Sequence, residues 1–258
     1  MLIKFNMLDC KPASTPLPSG ADVNAATIDE HLLDGSTPYA ELLGALLYLQ
    51  ATSRPDISFA VNTLSKHMSN PTKRHWHLAK HVLRYLKGST DIGITYRKAG
   101  PLELQGYVDA DFAADKDTRK SRTGFVFNIA GGAVHWTSKQ QATVSTSTCE
   151  AEYIAAAAAA KEGIWLKRVL GELSDSKQHQ SSVSLFCDNQ AALHVASGTG
   201  STGRVKHIDI AHHFLRGAVN RGQIIFKHVA TADNPADAFT KSLARDKVEY
   251  HRKQIGVN

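Results

Sequence analysis

A short alternating run, Leu102 to Phe112, places the strongest constraint on the fold of this chain. Apolar residues or glycine occupy every second position as far as Val108, and polar residues and Tyr107 stand between them, which is the period of a β-strand. Asp109 continues the polar series and therefore projects opposite Val108. A carboxylate at a strand end costs desolvation free energy unless water, a partner or a metal receives it. An acid that only marks the following turn is the alternative interpretation.

Strand and helix signals follow this run in an order that predicts the fold class. The alanine run Ala155–Ala160 lies at the centre of a strong helix signal, because alanine has the highest helix propensity. The predicted elements are strands at 92–97, 102–109, 124–129 and 133–139, a helix at 147–173, a strand at 183–187, helices at 190–196 and 209–219, a strand at 223–229 and the beginning of a last helix at 235–243. This order predicts an α/β fold, a mixed sheet flanked by helices.

The N-terminal part of the chain has a different character. Residues 9–24 are rich in proline, serine and small residues, which is typical of a linker or irregular tail. Helices are predicted from Pro38 to Thr52, from Arg54 onward, and after the break at 70–72 as far as Gly88. The predicted organisation is therefore an irregular tail at 1–34, a small helical segment at 35–92 and an α/β domain at 93–258.

The third predicted helix carries several basic side chains: Lys73, Arg74, Lys80, Arg84 and Lys87. They indicate either a nucleic-acid clamp or an ordinary solvated helix face. The net charge of +6 favours a polyanionic partner. The three cysteines are far apart, which excludes a disulfide framework or a Cys-x-x-Cys metal site and favours an intracellular setting. No signal peptide and no apolar run of membrane-spanning length is present, so no membrane partner is expected.

Four acids on separate predicted elements are candidates for a metal site: Asp109, Glu152, Asp188 and Asp237. Carboxylate oxygens suit hard divalent cations, and two such ions can activate water and stabilise the leaving oxygen in a displacement at phosphorus. Spacing alone does not define such a site, because four scattered acids occur in most proteins of this size. Glu150 lies about 200° around the helix from Glu152 and cannot share its ligand position.

The sequence motifs around these acids show a specific resemblance to a known family. They are Y-V-D-A-D-F-A-A-D, R-K-S-R-T-G-F-V-F, T-S-K-Q-Q-A-T-V-S-T-S-T-C-E-A-E-Y-I-A, F-C-D-N-Q-A-A-L, K-H-I-D-I-A-H-H-F and N-P-A-D-A-F-T-K. In this order they resemble the ribonuclease H domain of copia-type retrotransposon Pol polyproteins, over about Gly93 to Ser242. Upstream, Y-A-E-L-L-G-A-L-L-Y-L, S-R-P-D-I-S-F-A-V and H-W-H-L-A-K-H-V-L-R-Y-L-K-G resemble the helical segment that follows the reverse-transcriptase palm in the same family.

The resemblance implies a ribonuclease H-like fold that cleaves the RNA strand of RNA:DNA hybrids with two Mg²⁺ ions, for which Mn²⁺ can substitute. It assigns metal binding to Asp109, Asp188 and Asp237, and to Glu152 in preference to Glu150, because the family places the acid directly before the large apolar residue. His228 takes the place of a histidine that assists proton transfer or product release, although a surface histidine after a strand is the alternative.

The family context adds further expectations. The chain is expected to be the C-terminal piece of a reverse transcriptase and ribonuclease H polyprotein, in cytoplasmic virus-like particles or the nucleus. It has no paired aspartates of a polymerase palm, so no DNA synthesis is expected. Candidate contacts to the hybrid backbone are Arg119, Lys120, Arg122 and Lys139, with Lys73, Arg74, Lys80 and Arg84 upstream.

Three alternatives stay open on the sequence. One is a catalytically silent module that binds hybrids without cutting them. Another is a polynucleotidyl transferase of the same fold, which would need a DNA-binding module that the sequence does not indicate. The histidines near Asp209 suggest zinc, but no cysteine joins them, and the start of a helix at Asp209 is preferred.

Overall fold

The computed structural model describes residues 1–27, 30–98, 103–173, 182–190 and 209–258, with the backbone alone at 209–212. These residues form two compact units. The first contains Met1–Thr95 and Lys241–Asn258, and the second contains Tyr96–Thr240. None of the helices in these described ranges combines the length and hydropathy needed to cross a membrane.

The regular elements of the described chain follow one another in this order: α1 (Tyr39–Thr52), α2 (Ser58–Ser65), α3 (Lys73–Lys87), β1 (Gln105–Asp111), β2 (Arg122–Ile129), β3 (Gly132–Gln140), α4 (Thr148–Leu173), β4 (Val183–Cys187), α5 (Asp209–Asn220), β5 (Ile224–His228) and α6 (Arg245–Gln254). Short 3-10 helices occupy Pro55–Ile57, Thr231–Asp233 and Pro235–Phe239. The three helices predicted for the N-terminal part are therefore present, although the predicted proline, Pro55, begins the 3-10 helix that directly precedes α2.

The first unit is built on α1, α2 and α3, whose apolar faces are buried. α3 begins with a capping box, in which the His75 backbone N–H donates to the Thr72 hydroxyl and the Thr72 backbone N–H donates to Nδ1 of His75 over 3.1 Å. Nδ1 is thus an acceptor, so Nε2 carries the proton and donates to the Asn24 carbonyl oxygen over 2.8 Å. The ring also stacks on His67 at a centroid distance of 4.2 Å. These contacts attach the N-terminal segment to the helices.

The second unit is a five-stranded mixed sheet in the order β3-β2-β1-β4-β5. β1 and β2 pair antiparallel, as do β2 and β3, whereas β1 and β4 pair parallel, as do β4 and β5. The alanines of α4 pack on one face of the sheet, against a core that includes Val108, Phe127 and Leu185. This is the mixed sheet flanked by helices that the sequence predicts, so the predicted fold class is confirmed.

Some predicted boundaries are wrong. β1 begins at Gln105 and continues to Asp111, past the predicted end at Asp109. The stretch at 92–97 contributes only a single bridge between Ile94 and Val257, because its backbone finds no continuous neighbouring strand in the described chain. The predicted last helix at 235–243 is two elements, a 3-10 helix and α6, because Asn234 caps a tight turn that ends at Phe239. The helix predicted at 190–196 lies mostly outside the described residues.

Candidate active site

Parallel pairing of β1 and β4 brings the acids at their ends together. Tyr107 pairs with Phe186; Asp109 lies two residues further along β1, and Asp188 directly follows Cys187, the last residue of β4. The register therefore places Asp109 and Asp188 side by side at the carboxyl ends of neighbouring strands. Asp109 is buried, with 4% of its surface exposed, while Asp188 is half-buried.

The first turns of α4 add a third acid to this edge of the sheet. One carboxylate oxygen of Glu152, one of Asp188 and the Cys187 sulfur all lie within 4.8 Å of one another. Glu150 serves a different purpose, because its Oε2 accepts hydrogen bonds from the Thr146 backbone N–H over 2.7 Å and from the Thr146 hydroxyl over 2.6 Å. The structure thus brings Glu152 to the cluster and uses Glu150 to hold the start of α4.

Asp237 reaches the same region on a 3-10 helix that is tied to β1. The Thr240 hydroxyl donates to Oδ2 of Asp109, and it lies 3.2 Å from the Asp237 carbonyl oxygen. The Asn234 side-chain amide donates to the Val108 carbonyl oxygen over 2.9 Å, and its Oδ1 accepts from the backbone at the start of the 3-10 helix. Asp237 itself is buried, with 1% of its surface exposed. Side chains on both flanks of Asp237 therefore fix this turn against the strand that carries Asp109.

A glycine makes this close approach feasible. Gly124 of β2 pairs with Asp109. A Cβ atom at Gly124 would lie 2.7 Å from Cγ2 of Thr240 and 2.9 Å from Cβ of Phe239. Any side chain there would push the 3-10 helix away from β1.

Sequence reasoning did not single out Thr240 or Cys187, although both stand inside the quoted motifs, three residues after Asp237 and directly before Asp188. Burial raises the pKa of the Cys187 thiol to about 12, and the charges of Glu152, Asp188 and Asp109 add to this effect. The carboxylates of Glu152 and Asp188 are the two that lie within 4.8 Å of the sulfur. At neutral pH the thiol is protonated.

His228 lies at the end of β5, where it pairs with Cys187 of β4. Its side chain is exposed. The pairing places this imidazole one strand away from the acids, at the same edge of the sheet. Its role in proton transfer or product release stays a prediction.

The basic residues predicted around the second unit differ in exposure. Arg119 and Lys139 are exposed, and Lys120 is half-buried. Arg122 has 7% of its surface exposed, and its Nη1 donates to the Ser138 hydroxyl over 3.2 Å. Burial lowers the pKa of Arg122. Arg122 thus packs into the sheet, whereas the other three residues keep part or all of their surface in contact with solvent.

Basic residues of α3 contact the N-terminal segment. Nη2 of Arg74 forms an ion pair with Oε2 of Glu30 over 2.8 Å, and Nη1 pairs with Asp22. Nε of Arg84 donates to the Lys11 carbonyl oxygen over 2.8 Å. The guanidinium groups of these two arginines therefore serve to hold the chain's own N-terminal segment.

The remaining predicted residues of α3 differ from these arginines. The ammonium of Lys80 lies 5.5 Å from the centroid of the Trp76 ring, a cation–π contact, and Lys73 is exposed. Nucleic-acid binding by the basic residues of either unit stays a prediction.

The four predicted metal ligands are all carboxylates. Asp109, Glu152, Asp188 and Asp237 supply carboxylate oxygens from four separate elements, and three of these side chains are more than nine-tenths buried. Gathering buried carboxylates costs free energy that a divalent cation offsets. Oxygen donors in this number fit Mg²⁺ or Mn²⁺.

Comparison with known proteins gives close sequence relatives. The chain is 40% identical over 262 residues to the retrovirus-related Pol polyprotein from transposon TNT 1-94 of Nicotiana tabacum, a match that covers 100% of the chain and 19% of that polyprotein. It is 37% identical over 257 residues to the corresponding polyprotein from transposon RE2 of Arabidopsis thaliana, covering 100% of the chain and 17% of the relative. The chain thus spans less than a fifth of the length of these relatives.

Among solved structures, the N-terminal RNase H domain of a Mycobacterium tuberculosis protein aligns with 58% of the chain and 96% of that domain. The TM-score is 0.41 and the sequence identity is 12%. No family model matches the chain.

Proposed function

The chain belongs to the Pol polyproteins of copia-type retrotransposons, and from this premise we propose that its second unit is a ribonuclease H that cleaves the RNA strand of RNA:DNA hybrids. The observation that supports the proposal is that one carboxylate oxygen of Glu152 and one of Asp188 lie within 4.8 Å of each other, while Thr240 links Asp109 to the turn that carries Asp237. The proposed partners are the hybrid and the remainder of the polyprotein.

In this proposal the four carboxylates hold two Mg²⁺ ions, with Mn²⁺ as a substitute. When bound, such ions supply activation of water and stabilisation of the leaving oxygen in a displacement at phosphorus. Asp109 and Asp188 lie side by side and form the base of the site. Glu152 closes it from α4, and Asp237 closes it from the 3-10 helix.

Other residues orient these acids. The Thr240 hydroxyl limits the rotation of the Asp109 carboxylate, because it donates to Oδ2. Asn234 holds the 3-10 helix to β1 through the Val108 carbonyl oxygen. Positioning of this kind matters because a displacement of about 1 Å can reduce a rate by about 10²-fold. His228, exposed at the same edge, is proposed to carry a proton to or from the reacting groups.

The proposal is tested by incubating the full chain with an end-labelled RNA:DNA hybrid and magnesium chloride. The expected result is cleavage of the RNA strand alone, abolished by a chelator. Tight binding of the hybrid without cleavage would refute the proposal and favour a silent binding module.

Two substitutions in α4 test which glutamate acts. Glu152→Gln is expected to lower the cleavage rate by at least about 10²-fold, because it removes a charge from the site. Glu150→Gln is expected to retain cleavage and to lower stability by at most about 1 kcal/mol, since a glutamine oxygen still accepts from Thr146. Equal losses of cleavage in both variants would contradict the assignment of Glu152.

A further inference from the structure

The acidic cluster contains a sulfur atom that the proposed chemistry does not use. The Cys187 side chain is fully buried, and its sulfur lies within 4.8 Å of one carboxylate oxygen of Glu152 and one of Asp188. Cys187 is the last residue of β4, and its pairing with His228 of β5 fixes its position in the sheet. The strand pairing therefore holds the Cys187 sulfur at this edge of the sheet.

The geometry and chemistry of these three atoms suit a softer cation than magnesium. Zinc binds thiolate sulfur at about 2.3 Å and carboxylate oxygen at about 2.0–2.2 Å, so in the tetrahedral geometry that zinc prefers the sulfur and an oxygen lie about 3.6 Å apart. Side-chain rotations of Glu152 and Asp188 bring donors that lie within 4.8 Å of one another to that separation, and Asp188 has room because it is half-buried. A sulfur among the donors favours zinc or cadmium, whereas Mg²⁺ selects oxygen alone.

We propose that Cys187, Glu152 and Asp188 bind one thiophilic divalent cation, zinc or cadmium, at the position where the proposed function requires magnesium, and that the Cys187 thiol releases its proton to solvent as the metal–sulfur bond forms. The competition with magnesium rests on the proposed function, but the binding itself does not. Because the same two carboxylates cannot serve both cations at once, Zn²⁺ or Cd²⁺ excludes a magnesium ion from the site. Cys187 thereby makes the site sensitive to soft metals.

Cadmium is the probe for this site, because a cadmium–thiolate bond has a charge-transfer absorption in the ultraviolet. The test uses the full chain carrying Cys10→Ser and Cys149→Ser, which leaves Cys187 as the remaining thiol of the sequence. Titration with cadmium chloride, without nucleic acid, is expected to give this absorption with saturation at one ion per chain. Excess magnesium chloride is expected to raise the apparent dissociation constant for cadmium.

Two further variants identify the ligands. Cys187→Ser in the same background is expected to remove the absorption, with circular dichroism confirming that the buried substitution leaves the fold intact. Asp188→Asn, at a half-buried position, is expected to keep the absorption but to weaken cadmium binding by at least about tenfold. Lys139→Gln, an exposed substitution in the same unit, is the matched control and is expected to bind cadmium like the parent.

The outcomes separate this inference from the proposed function. No cadmium–thiolate absorption in the folded parent would overturn the inference, and so would equal affinity in the parent and in Asp188→Asn. A chain that cleaves hybrids but gives no absorption would keep the proposed function and refute the cadmium site. A chain that gives the absorption but does not cleave would support the site while the proposed function fails.

Discussion

Substitution of Gly124 by alanine tests whether the turn that carries Asp237 must approach β1 closely. A Cβ at this position would lie 2.7 Å from Cγ2 of Thr240, 2.9 Å from Cβ of Phe239 and 3.0 Å from the Ala236 carbonyl oxygen. Ordinary van der Waals contact begins at 3.4 Å, so Thr240 must retreat by up to 0.7 Å and Phe239 by up to 0.5 Å, the differences from 3.4 Å. The Phe239 Cβ and the Ala236 carbonyl oxygen are attached directly to the backbone of the 3-10 helix, so they cannot move away by a side-chain rotation.

The substitution is expected to lower both the stability of the protein and its cleavage rate. Overpacking of a well-packed site typically lowers stability by about 1–3 kcal/mol. A displacement approaching 1 Å also moves Asp237 and Thr240 relative to Asp109, which is expected to lower the cleavage rate by about 10²-fold. The rate should therefore fall more than the loss of folded protein explains.

Single-turnover cleavage of a labelled hybrid and denaturant unfolding measure these two effects. Gly171→Ala is the matched control, because a Cβ at this position of α4 meets nothing within 4 Å. The control is expected to cleave at the wild-type rate and to gain up to about 1 kcal/mol of stability. Wild-type cleavage and stability in Gly124→Ala would refute the described contact between the turn and β2.

Two further predictions concern the first unit and the binding surface. Burial lowers the pKa of His75 below its unfolded value, so its contribution to stability is complete above about pH 6.5 and is lost as the pH falls from there towards the folded pKa. Urea unfolding should show this loss of stability at low pH in the wild type and in the control His77→Gln, whose histidine is exposed. The loss should be smaller in His75→Gln. Equal pH dependence of stability in all three proteins would contradict the prediction. For hybrid binding, the double variant Arg119→Gln and Lys120→Gln should reduce the slope of log affinity against log salt by about 2. Arg74→Gln should leave that slope unchanged, because its guanidinium is engaged in the first unit, and a reduced slope in this variant would refute that account.

Local sequence signals predicted the elements well where a clear boundary residue was present. β4 spans the predicted Val183–Cys187, because a short apolar run ends there at a polar pair. α3 ends at Lys87 with Gly88 as its C-cap, as the glycine at this position predicted. The convergence of the acids was expected from the family resemblance, since alternation in one strand cannot show which strand lies beside it.

Features that depend on tertiary contacts could not be predicted from local sequence signals. Arg122 stands in a polar loop sequence but is buried against Ser138, and Arg74 pairs with a glutamate 44 residues away. The sequence predicts the beginning of a last helix at the turn of Asp237, whereas the structure has a 3-10 helix there that packs against β1 and β2. Thr240 acquires its importance through a hydrogen bond to a residue 131 positions earlier, which no local pattern indicates.

The most direct test of the account compares wild-type protein and Asp109→Asn in magnesium-dependent cleavage of an RNA:DNA hybrid, with hybrid binding measured separately without metal. Asparagine keeps the size of the side chain and can still accept from Thr240, but it lacks the charge that draws cations to the site. The predicted result is RNA cleavage by the wild type, a loss of at least about 10²-fold in the variant, and little change in binding. Cleavage at the wild-type rate by Asp109→Asn, with contaminating nuclease excluded by a mock purification, would contradict the account.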